Sequence, residues 1–301
     1  MHKINSISDY HQLAGLPKPE HPLVSLVDYS QVNYQTDEDA ISLVSSHYSI
    51  AMKRGVNGKV RYGQQQYDFD EGLMSFIAPG QVISVKVNRD PATKPTGWIL
   101  LVHPDFLWNT PLAKKIGHYE FFGYHIKEAL FLSEKEELSI IGILQNIREE
   151  YHTNIDQFSQ NIIVAQIEVL LNYAERFYQR QFITRQISNH EILGRLEELL
   201  TRHFEQDNLV HAGLPAVQDM AEQLNLSPNY LSSLLKVLTG QNTQQHIHDK
   251  LIKKAKEKLS TTQLSVSEIA YDLGFEHSQS FSRLFKNKTK LSPLEFRQTF
   301  N

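Results

Sequence analysis

Seven polar residues near the C-terminus combine side-chain type and spacing in a way that suits hydrogen bonding to the edges of nucleic acid bases. They are predicted to face outward on two helices: Asn229, Ser232 and Ser233 on the first, and Ser278, Gln279, Ser282 and Arg283 on the second. An Arg side chain can bond guanine O6 and N7 bidentately, and a Gln side chain can bond adenine N6 and N7. We therefore expect the second helix to discriminate between bases more strongly than the first.

The two helices belong to a tandem repeat. Apolar residues of the first copy recur 49 or 50 residues later: Val217, Met220, Ala221, Leu224, Leu231 and Leu235 as Val266, Ile269, Ala270, Leu273, Phe281 and Phe285. Each copy has a supporting helix, a turn former (Asn225 or Gly274) and a second apolar stripe, which is typical of a helix-turn-helix. The predicted units span about 217–238 and 266–289, and two units in tandem indicate one long target, duplex DNA.

The helix predicted between the two units is expected to hold them at a fixed separation. Its apolar face consists of Ile247, Leu251, Ile252, Ala255 and Leu259. Residues 227–301 contain eleven Lys and Arg against six acidic residues, a local charge of +5 in a chain of net charge −4. Because screening makes phosphate attraction local, the acidic remainder does not forbid DNA binding. The predicted phosphate contacts are Lys236, Lys286 and Lys288.

Composition describes an ordinary protein with room for two domains. The chain has 301 residues, of which 41% are hydrophobic and 21% charged. It contains no cysteine, which excludes disulfides, thiolate metal sites and cysteine nucleophiles. The longest apolar runs, such as Trp98 to Val102, are too short to span a bilayer. We expect a cytoplasmic protein with no membrane partner.

The first part of the chain has a β-rich pattern from about Leu23 to Pro104. Turn signals recur about every ten residues, at Asn57-Gly58, Glu71-Gly72, Pro79-Gly80 and Thr96-Gly97. This spacing favours a sandwich or small barrel over a parallel sheet. Asn57-Gly58 also predicts a hairpin between Ile50–Arg54 and Lys59–Tyr67.

Two helical stripes follow the β-rich region and predict a hairpin arm at about 134–180. One stripe is Ile140, Leu144, Ile147 and Tyr151, and the other is Ile163, Ile167, Leu170, Ala174 and Phe177. Leu171 and Tyr178 widen the second stripe, either to reach another subunit or to cover the barrel. The polar run that follows predicts a linker at 181–189 and a second domain at 190–301, whose first helix Ser188 or Asn189 would cap.

Residues 190–301 resemble the AraC-type transcription regulators. The motifs that carry the resemblance are Ser267-Glu268-Ile269-Ala270, Gly274-Phe275, Phe281-Ser282-Arg283 and Ser292-Pro293. The resemblance implies that the seven polar residues occupy the family's base-facing positions. It also implies double-stranded DNA and a second copy of the chain, in a homodimer, as partners, with RNA polymerase as a further candidate. Three positions depart from the family: Leu251 replaces a frequent Arg, Leu235 a common Phe, and Lys290 the usual Gly. A Lys at positive φ would be strained by about 1 kcal/mol.

The same resemblance implies a cupin-like barrel or jelly roll with a helical arm at 1–180, and therefore an α+β multidomain chain with an all-α C-terminal double helix-turn-helix. The segment from Gly72 to Gly80 looks like the Gly-to-Pro-Gly strand of such barrels. A small organic effector is the expected ligand of the barrel. Five aromatic residues either line its pocket or pack in the core: Tyr62, Tyr67, Phe69, Phe76 and Trp98. A barrel that only dimerises and binds no ligand is an alternative.

A cupin-type metal enzyme is a further alternative. Such enzymes commonly place two His one residue apart on a strand, but Lys59 to Phe69 contains no His. The other candidates are scattered: His103, His118, His125, and the pair His246 and His248, whose i, i+2 spacing points them apart on a helix. We therefore expect no enzyme activity, no catalytic residue, no metal and no cofactor.

Overall fold

A computed structural model describes residues 1–34, 36, 40–54, 72–86, 96–125, 128–152, 158–184, 186–205 and 213–300. The chain divides into two compact units, Met1–Thr184 and Arg185–Asn301. The first is built from sheets and helices and the second from helices alone, which confirms the predicted α+β class with an all-α C-terminal part. No helix in these ranges is long and apolar enough to cross a membrane.

The first unit contains two sheets. One has the strand order β1-β3-β6 and the other the order β2-β7-β4-β5-β8. The strands are β1 (His2–Ile4), β2 (Val24–Asp28), β3 (Ala40–Ser45), β4 (Tyr48–Arg54), β5 (Gly72–Ile77), β6 (Val82–Lys86), β7 (Thr96–Val102) and β8 (Leu130–Leu132). All pairs are antiparallel except β1 with β3. The residues predicted to form the second strand of the Asn57-Gly58 hairpin lie outside the described ranges.

Alternate residues of each strand point to opposite sides of the five-stranded sheet. Other elements of the unit bury both sides. On one face Val27, Ala51, Ile99 and Leu101 pack against helix α1 (Ile7–Leu13). A capping box between Ser6 and Asp9 starts this helix. The other face is covered by aromatic residues and helices: Phe76 contacts the rings of Phe121, Phe122 and Tyr178. Phe76 therefore packs in the core, the second of the two roles open to it.

The helical arm consists of α3 (Glu134–His152) and α4 (Ser159–Thr184), which pack against each other after the short helix α2 (Pro111–Lys115). Leu171 and Tyr178 are both buried within the unit. The Tyr178 ring stacks on Phe121 at 5.6 Å, and its hydroxyl donates to the Glu128 carbonyl at 3.2 Å. Both side chains are therefore buried within the unit, as in the second alternative, and the Tyr178 ring packs against Phe76 of the sheet.

The two units divide between Thr184 and Arg185, inside the linker predicted at 181–189, but most of that run is helical. Gln181 and Phe182 are buried in the first unit, where the Gln181 side-chain oxygen accepts a hydrogen bond from the Phe131 amide at 2.9 Å. Helix α4 continues to Thr184, and α5 begins at Gln186 rather than after a cap at Ser188 or Asn189. The polar run contains neither Pro nor Gly, so nothing in it opposes a helical backbone.

The second unit is a set of helices gathered around a long central one. The helices are α5 (Gln186–Glu205), α6 (Val217–Gln223), α7 (Pro228–Thr239), α8 (Thr243–Thr261), α9 (Val266–Asp272), α10 (Ser278–Thr289) and α11 (Pro293–Gln298). Helix α8 contacts α5, α7, α9 and α11. Its predicted apolar face is buried throughout: Ile247, Leu251, Ile252, Ala255 and Leu259. The helix predicted to connect the two helix-turn-helix units is therefore the core of this unit.

Candidate nucleic-acid interface

The first helix-turn-helix unit consists of α6, a tight turn and α7. Ala221 is fully buried where α6 meets α7, and a small side chain there lets the helices approach closely. Asn225 adopts a positive φ of 57° in the turn, as predicted. The Ser227 hydroxyl accepts a hydrogen bond from the Tyr230 amide at 3.2 Å, and Pro228 takes the first helical position. These residues fix where α7 begins.

The second helix-turn-helix unit consists of α9, a turn at Gly274 and α10. Ser265 and Glu268 form a capping box, and the hydrogen bonds of the Ser265 side chain and backbone lower the pKa of the Glu268 carboxyl. Gly274 has a φ of 85°, and a Cβ there would lie 2.8 Å from the Gly213 carbonyl carbon. Only glycine meets both conditions, because the conformation disfavours L side chains and the neighbouring backbone leaves no space.

The predicted base-facing residues of α7 are only partly available. Asn229 is exposed, as is the predicted phosphate contact Lys236. The Ser232 hydroxyl is hydrogen bonded to the Thr243 hydroxyl at 3.0 Å. Ser233 is only 9% exposed, so its predicted outward orientation is wrong. Its helix face turns toward the apolar residues that α7 buries, and a side chain as short as serine does not reach out of that contact.

The second recognition helix presents longer side chains. Gln279 and Arg283 are exposed and stand four residues apart, which places them on the same face of α10 about one turn from each other. Ser278 and Ser282 flank them and are half-buried, and Lys286 is exposed further along the helix. This arrangement puts two side chains capable of bidentate hydrogen bonding at the N-terminal part of the helix, the part that meets base edges in major-groove complexes.

Lys288, the third predicted phosphate contact, already has a partner within the unit. Its ammonium group donates to the Asp249 carboxylate at 2.7 Å, linking α10 to α8. Although partial burial opposes it, hydrogen bonds from Lys288 and Gln241 keep the pKa of Asp249 below its usual value. The pair is solvent-accessible, so its contribution to stability is small, about 0–1 kcal/mol.

Side chains outside the set predicted to contact DNA fix the second helix-turn-helix unit to α8. Arg297 on α11 donates from Nη2 to the Leu264 carbonyl at 2.6 Å and from Nε to the Leu259 carbonyl at 3.2 Å. Lys258 pairs with Asp272 at 3.2 Å, and so ties α8 to the end of α9. Sequence reasoning counted Arg297 only as a charge. The position of Arg297 in the sequence, one turn into a helix that begins at Ser292-Pro293, does not indicate that its side chain bonds these two carbonyls.

Histidines that could have supported a metal enzyme are dispersed. His103 accepts a hydrogen bond from the Asp105 amide at 3.3 Å, and His246 bonds the Thr239 hydroxyl at 2.8 Å. Within the described ranges, no three His, Asp or Glu side chains stand close enough together to hold a metal ion.

Each helix-turn-helix unit pairs a short helix with a longer one, and one buried helix connects the two units. This arrangement defines a double helix-turn-helix DNA-binding domain. Residues 220–299 match a family described as a helix-turn-helix domain. The C-terminal unit therefore contains a helix-turn-helix domain, and its sequence is similar to AraC-type regulators, in agreement with the resemblance noted in the sequence.

Curated relatives of this chain are operon regulators. It is 35% identical over 82 residues to the Msm operon regulatory protein of Streptococcus mutans, a match that covers 27% of this chain and 30% of the relative. It is 32% identical over 125 residues to the arabinose operon regulatory protein of Escherichia coli K12, covering 35% of this chain and 43% of that protein. The chain thus spans less than half the length of either relative.

A solved structure with a similar sequence is the C-terminal domain of AraT, a response regulator from Geobacillus stearothermophilus. It is 31% identical, and the match covers 36% of this chain and 84% of that one with a TM-score of 0.32.

Proposed function

We propose that this chain is a sequence-specific transcription regulator that binds double-stranded DNA through its C-terminal unit and responds to a small organic effector through its N-terminal unit. The observation that carries the proposal is the exposure of Gln279 and Arg283, one turn apart at the start of α10. Both side chains can read a base by two hydrogen bonds, and each good pair contributes about 1–3 kcal/mol of discrimination.

The two recognition helices bind successive major grooves on one face of the duplex. This follows from their attachment to α8, whose first residue Thr243 bonds Ser232 of α7 and whose Lys258, near the other end, pairs with Asp272 of α9. A buried connecting helix does not bend or extend easily, so it sets the distance between the helices. We expect the two contacted half-sites to lie about 10–10.5 bp apart.

Helix α7 mainly positions the protein on the duplex, and α10 mainly selects the sequence. The Ser232 hydroxyl is already bonded to Thr243 and Ser233 is buried, which leaves Asn229 as the exposed base-facing candidate of α7. Lys236 and Lys286 are exposed and contact phosphates, which carry affinity but no sequence information. Lys288 exchanges Asp249 for a phosphate when DNA binds.

The N-terminal unit supplies dimerisation and effector response. Two large apolar residues of α4, Ile162 and Val169, are 43% and 42% exposed and lie seven residues apart, on one helix face. A second copy of the chain would cover them. The chain acts on DNA in the cytoplasm by binding rather than by catalysis, and RNA polymerase is the partner through which binding alters transcription.

Selection of binding sites tests this function. The full-length protein is equilibrated with random duplexes at moderate ionic strength, and the bound fraction is sequenced over several rounds. We expect one enriched motif with two elements about 10–10.5 bp apart. The Gln279→Ala variant should lose the preference at one position of the stronger element. A bound pool without any enriched motif would contradict sequence-specific recognition.

A further inference from the structure

A preformed cleft lies between the helical arm and the five-stranded sheet of the N-terminal unit. Its volume is about 270 Å³, at the small end of the range of ligand sites, about 300–1,000 Å³. Four segments frame it: the stretch entering β2, the turn after β7, the end of α3 and the start of α4. Its lining residues are His21, Leu23, Val24, Asp105, Phe106, Glu150, Tyr151, Ser159, Gln160 and Ile163.

Hydrogen bonds hold the walls of this cleft in place. The Tyr151 hydroxyl accepts from the Glu20 amide at 2.8 Å and so fixes the end of α3 to the segment entering β2. The Gln160 side chain donates to the Phe106 carbonyl at 2.6 Å and fixes the start of α4 to the turn after β7. A ligand would therefore meet walls already held in place, and little ordering would oppose its binding.

The floor of the cleft is apolar and aromatic. Val24, Phe106, Tyr151 and Ile163 are buried in the unit and leave only their inner edges on the cleft. The His21 ring meets the Phe106 ring edge-on at 5.3 Å. Burial lowers the pKa of His21, and its Nδ1 accepts a hydrogen bond from the Leu23 amide at 3.0 Å. The imidazole is therefore neutral at pH 7 and carries its proton on Nε2.

The charge on the described lining is of one sign. Asp105 and Glu150 are carboxylates, and no Lys or Arg is among the ten residues. An anionic ligand, such as a carboxylate or a phosphate ester, would meet repulsion from these two carboxylates. A cationic ligand gains attraction from both carboxylates.

We propose that this cleft is the effector site, and that its ligand is a compact organic amine whose hydrocarbon body lies on the apolar floor and whose ammonium group faces Asp105 and Glu150. The proposal rests on the effector response proposed above and gives that response a location, outside the space between the two sheets. The bound amine bridges α3, α4 and β2, and so stabilises the packing of the arm on the sheet.

Matched small molecules test the charge requirement. The full-length protein is titrated calorimetrically with phenethylamine, cyclohexylmethylamine and tryptamine, and with 2-phenylethanol and phenylacetate as neutral and anionic counterparts of the first. We expect at least one amine to bind with a Kd below about 1 mM. Phenethylamine should bind about tenfold tighter than either counterpart. The proposal is overturned if no amine binds in this range, or if phenylacetate binds as tightly as phenethylamine.

Three variants locate the binding. The double variant Asp105→Asn, Glu150→Gln removes the charge with little change of shape, and Ile163→Phe fills the cleft. Each should weaken amine binding by about tenfold or more. The control Glu149→Gln removes an equal charge from an exposed neighbour that does not line the cleft, and should leave binding unchanged. Unaltered amine binding by the double variant would place the ligand elsewhere, and this variant decides the matter if Ile163→Phe does not fold.

DNA binding by the same preparations separates the two proposals. Protein that selects a DNA motif but binds no amine overturns the cleft assignment and leaves the transcription regulator intact. Protein that binds the amine in the cleft but selects no motif overturns the proposed function instead.

Discussion

At the scale of single residues, the contrast between the two recognition helices decides how the protein would read DNA. Arg283 and Gln279 have long, exposed side chains, whereas the serines of α7 are short and are held within the fold. Base discrimination depends on side chains that reach the groove edges, while phosphate contacts only set affinity. Recognition should therefore be concentrated on the half-site under α10.

Arg283→Ala should cost about 1–3 kcal/mol of binding free energy and relax the preference at one base pair, because a bidentate contact to guanine is lost. Fluorescence anisotropy against all single-base variants of the selected site measures both effects. Lys286→Ala is the control, and it should weaken binding to every variant alike and flatten the salt dependence. An equal loss on every sequence for Arg283→Ala would make Arg283 a phosphate contact instead.

Lys290 carries a local strain that can be relieved. It ends α10 with a φ of 67°, whereas Gly240 ends α7 in the equivalent conformation with a φ of 77°. Lys290→Gly should raise the free energy of unfolding of the C-terminal unit by about 1 kcal/mol, since glycine tolerates this conformation. Thermal unfolding followed by far-UV circular dichroism measures the change. Lys290→Ala keeps the strain and should give no gain, so equal stabilisation by both variants would refute this explanation.

His47 should make the N-terminal unit less stable in mild acid. Burial, together with the nearby His103, lowers the pKa of His47 from 6.5 to about 4. Its Nδ1 is buried and has no hydrogen-bond partner among the described residues. The unfolded chain thus binds more protons than the folded chain between pH 6.5 and 4. Stability falls as the pH falls through this window, by about 2–3 kcal/mol from this group.

His47→Phe should remove that part of the pH dependence. Both tryptophans, Trp98 and Trp108, lie in the N-terminal unit, so urea unfolding followed by tryptophan fluorescence reports on this unit alone. The wild-type chain should lose more stability than the variant between pH 7 and pH 4.5. Identical losses would show that His47 titrates normally in the folded state.

At the scale of elements, the turns of the two helix-turn-helix units differ in how strictly they require their residue. Asn225 needs only a positive φ, whereas Gly274 also lies against the backbone of Gly213 and Leu214. The second turn therefore anchors α10 to the segment that precedes α6. This contact connects α10, the helix proposed to select the DNA sequence, to the first helix-turn-helix unit.

Gly274→Ala should destabilise the C-terminal unit by about 2–4 kcal/mol, because the methyl group adds an overlap with Gly213 to the strain of a positive φ. Gly240→Ala is the matched control, since it has a similar φ but no atom within 4 Å of the added Cβ. It should cost only about 1 kcal/mol. Thermal unfolding by circular dichroism compares them, and equal costs would mean that the Gly213 contact does not constrain the turn.

The sequence predicted these elements well wherever periodicity and local chemistry carried the information. The repeat of 49–50 residues located both units, and the conformations predicted for Asn225 and Lys290 are confirmed. The periodicity of a single helix did not predict which of its residues a neighbouring element would bury. Ser233 has the outward spacing of a recognition residue, yet it is buried.

The residues at the domain boundary show a related difference. Arg180 and Gln181 are polar, but they bond the carbonyls of Phe131 and Ala129 and so belong to the packed first unit. Only the tertiary fold brings β8 to this part of α4. Composition alone therefore did not show that the first residues of the polar run belong to the first unit, although the division between the units falls inside the predicted linker.

At the scale of the whole molecule, function is divided between an acidic part and a basic part. The net charge of −4 conceals a local +5 over residues 227–301, where the DNA-facing helices lie. Screening confines the phosphate interaction to about 8–10 Å at physiological salt, so the remaining acidic chain weakens it little. Under the proposed function, the N-terminal unit can vary its effector site and dimer surface without altering the proposed contacts to DNA.

The central claim is that two rigidly coupled recognition helices read one face of the duplex. The most direct test inserts 5 bp between the two elements of the selected site and measures the affinity of the full-length protein. The insertion turns the second element to the opposite face, and α8, about 28 Å long at 1.5 Å per residue, cannot follow it. We predict that affinity falls to that of a site with one element destroyed. Unchanged affinity after the insertion would contradict rigid coupling and, with it, the proposed mode of recognition.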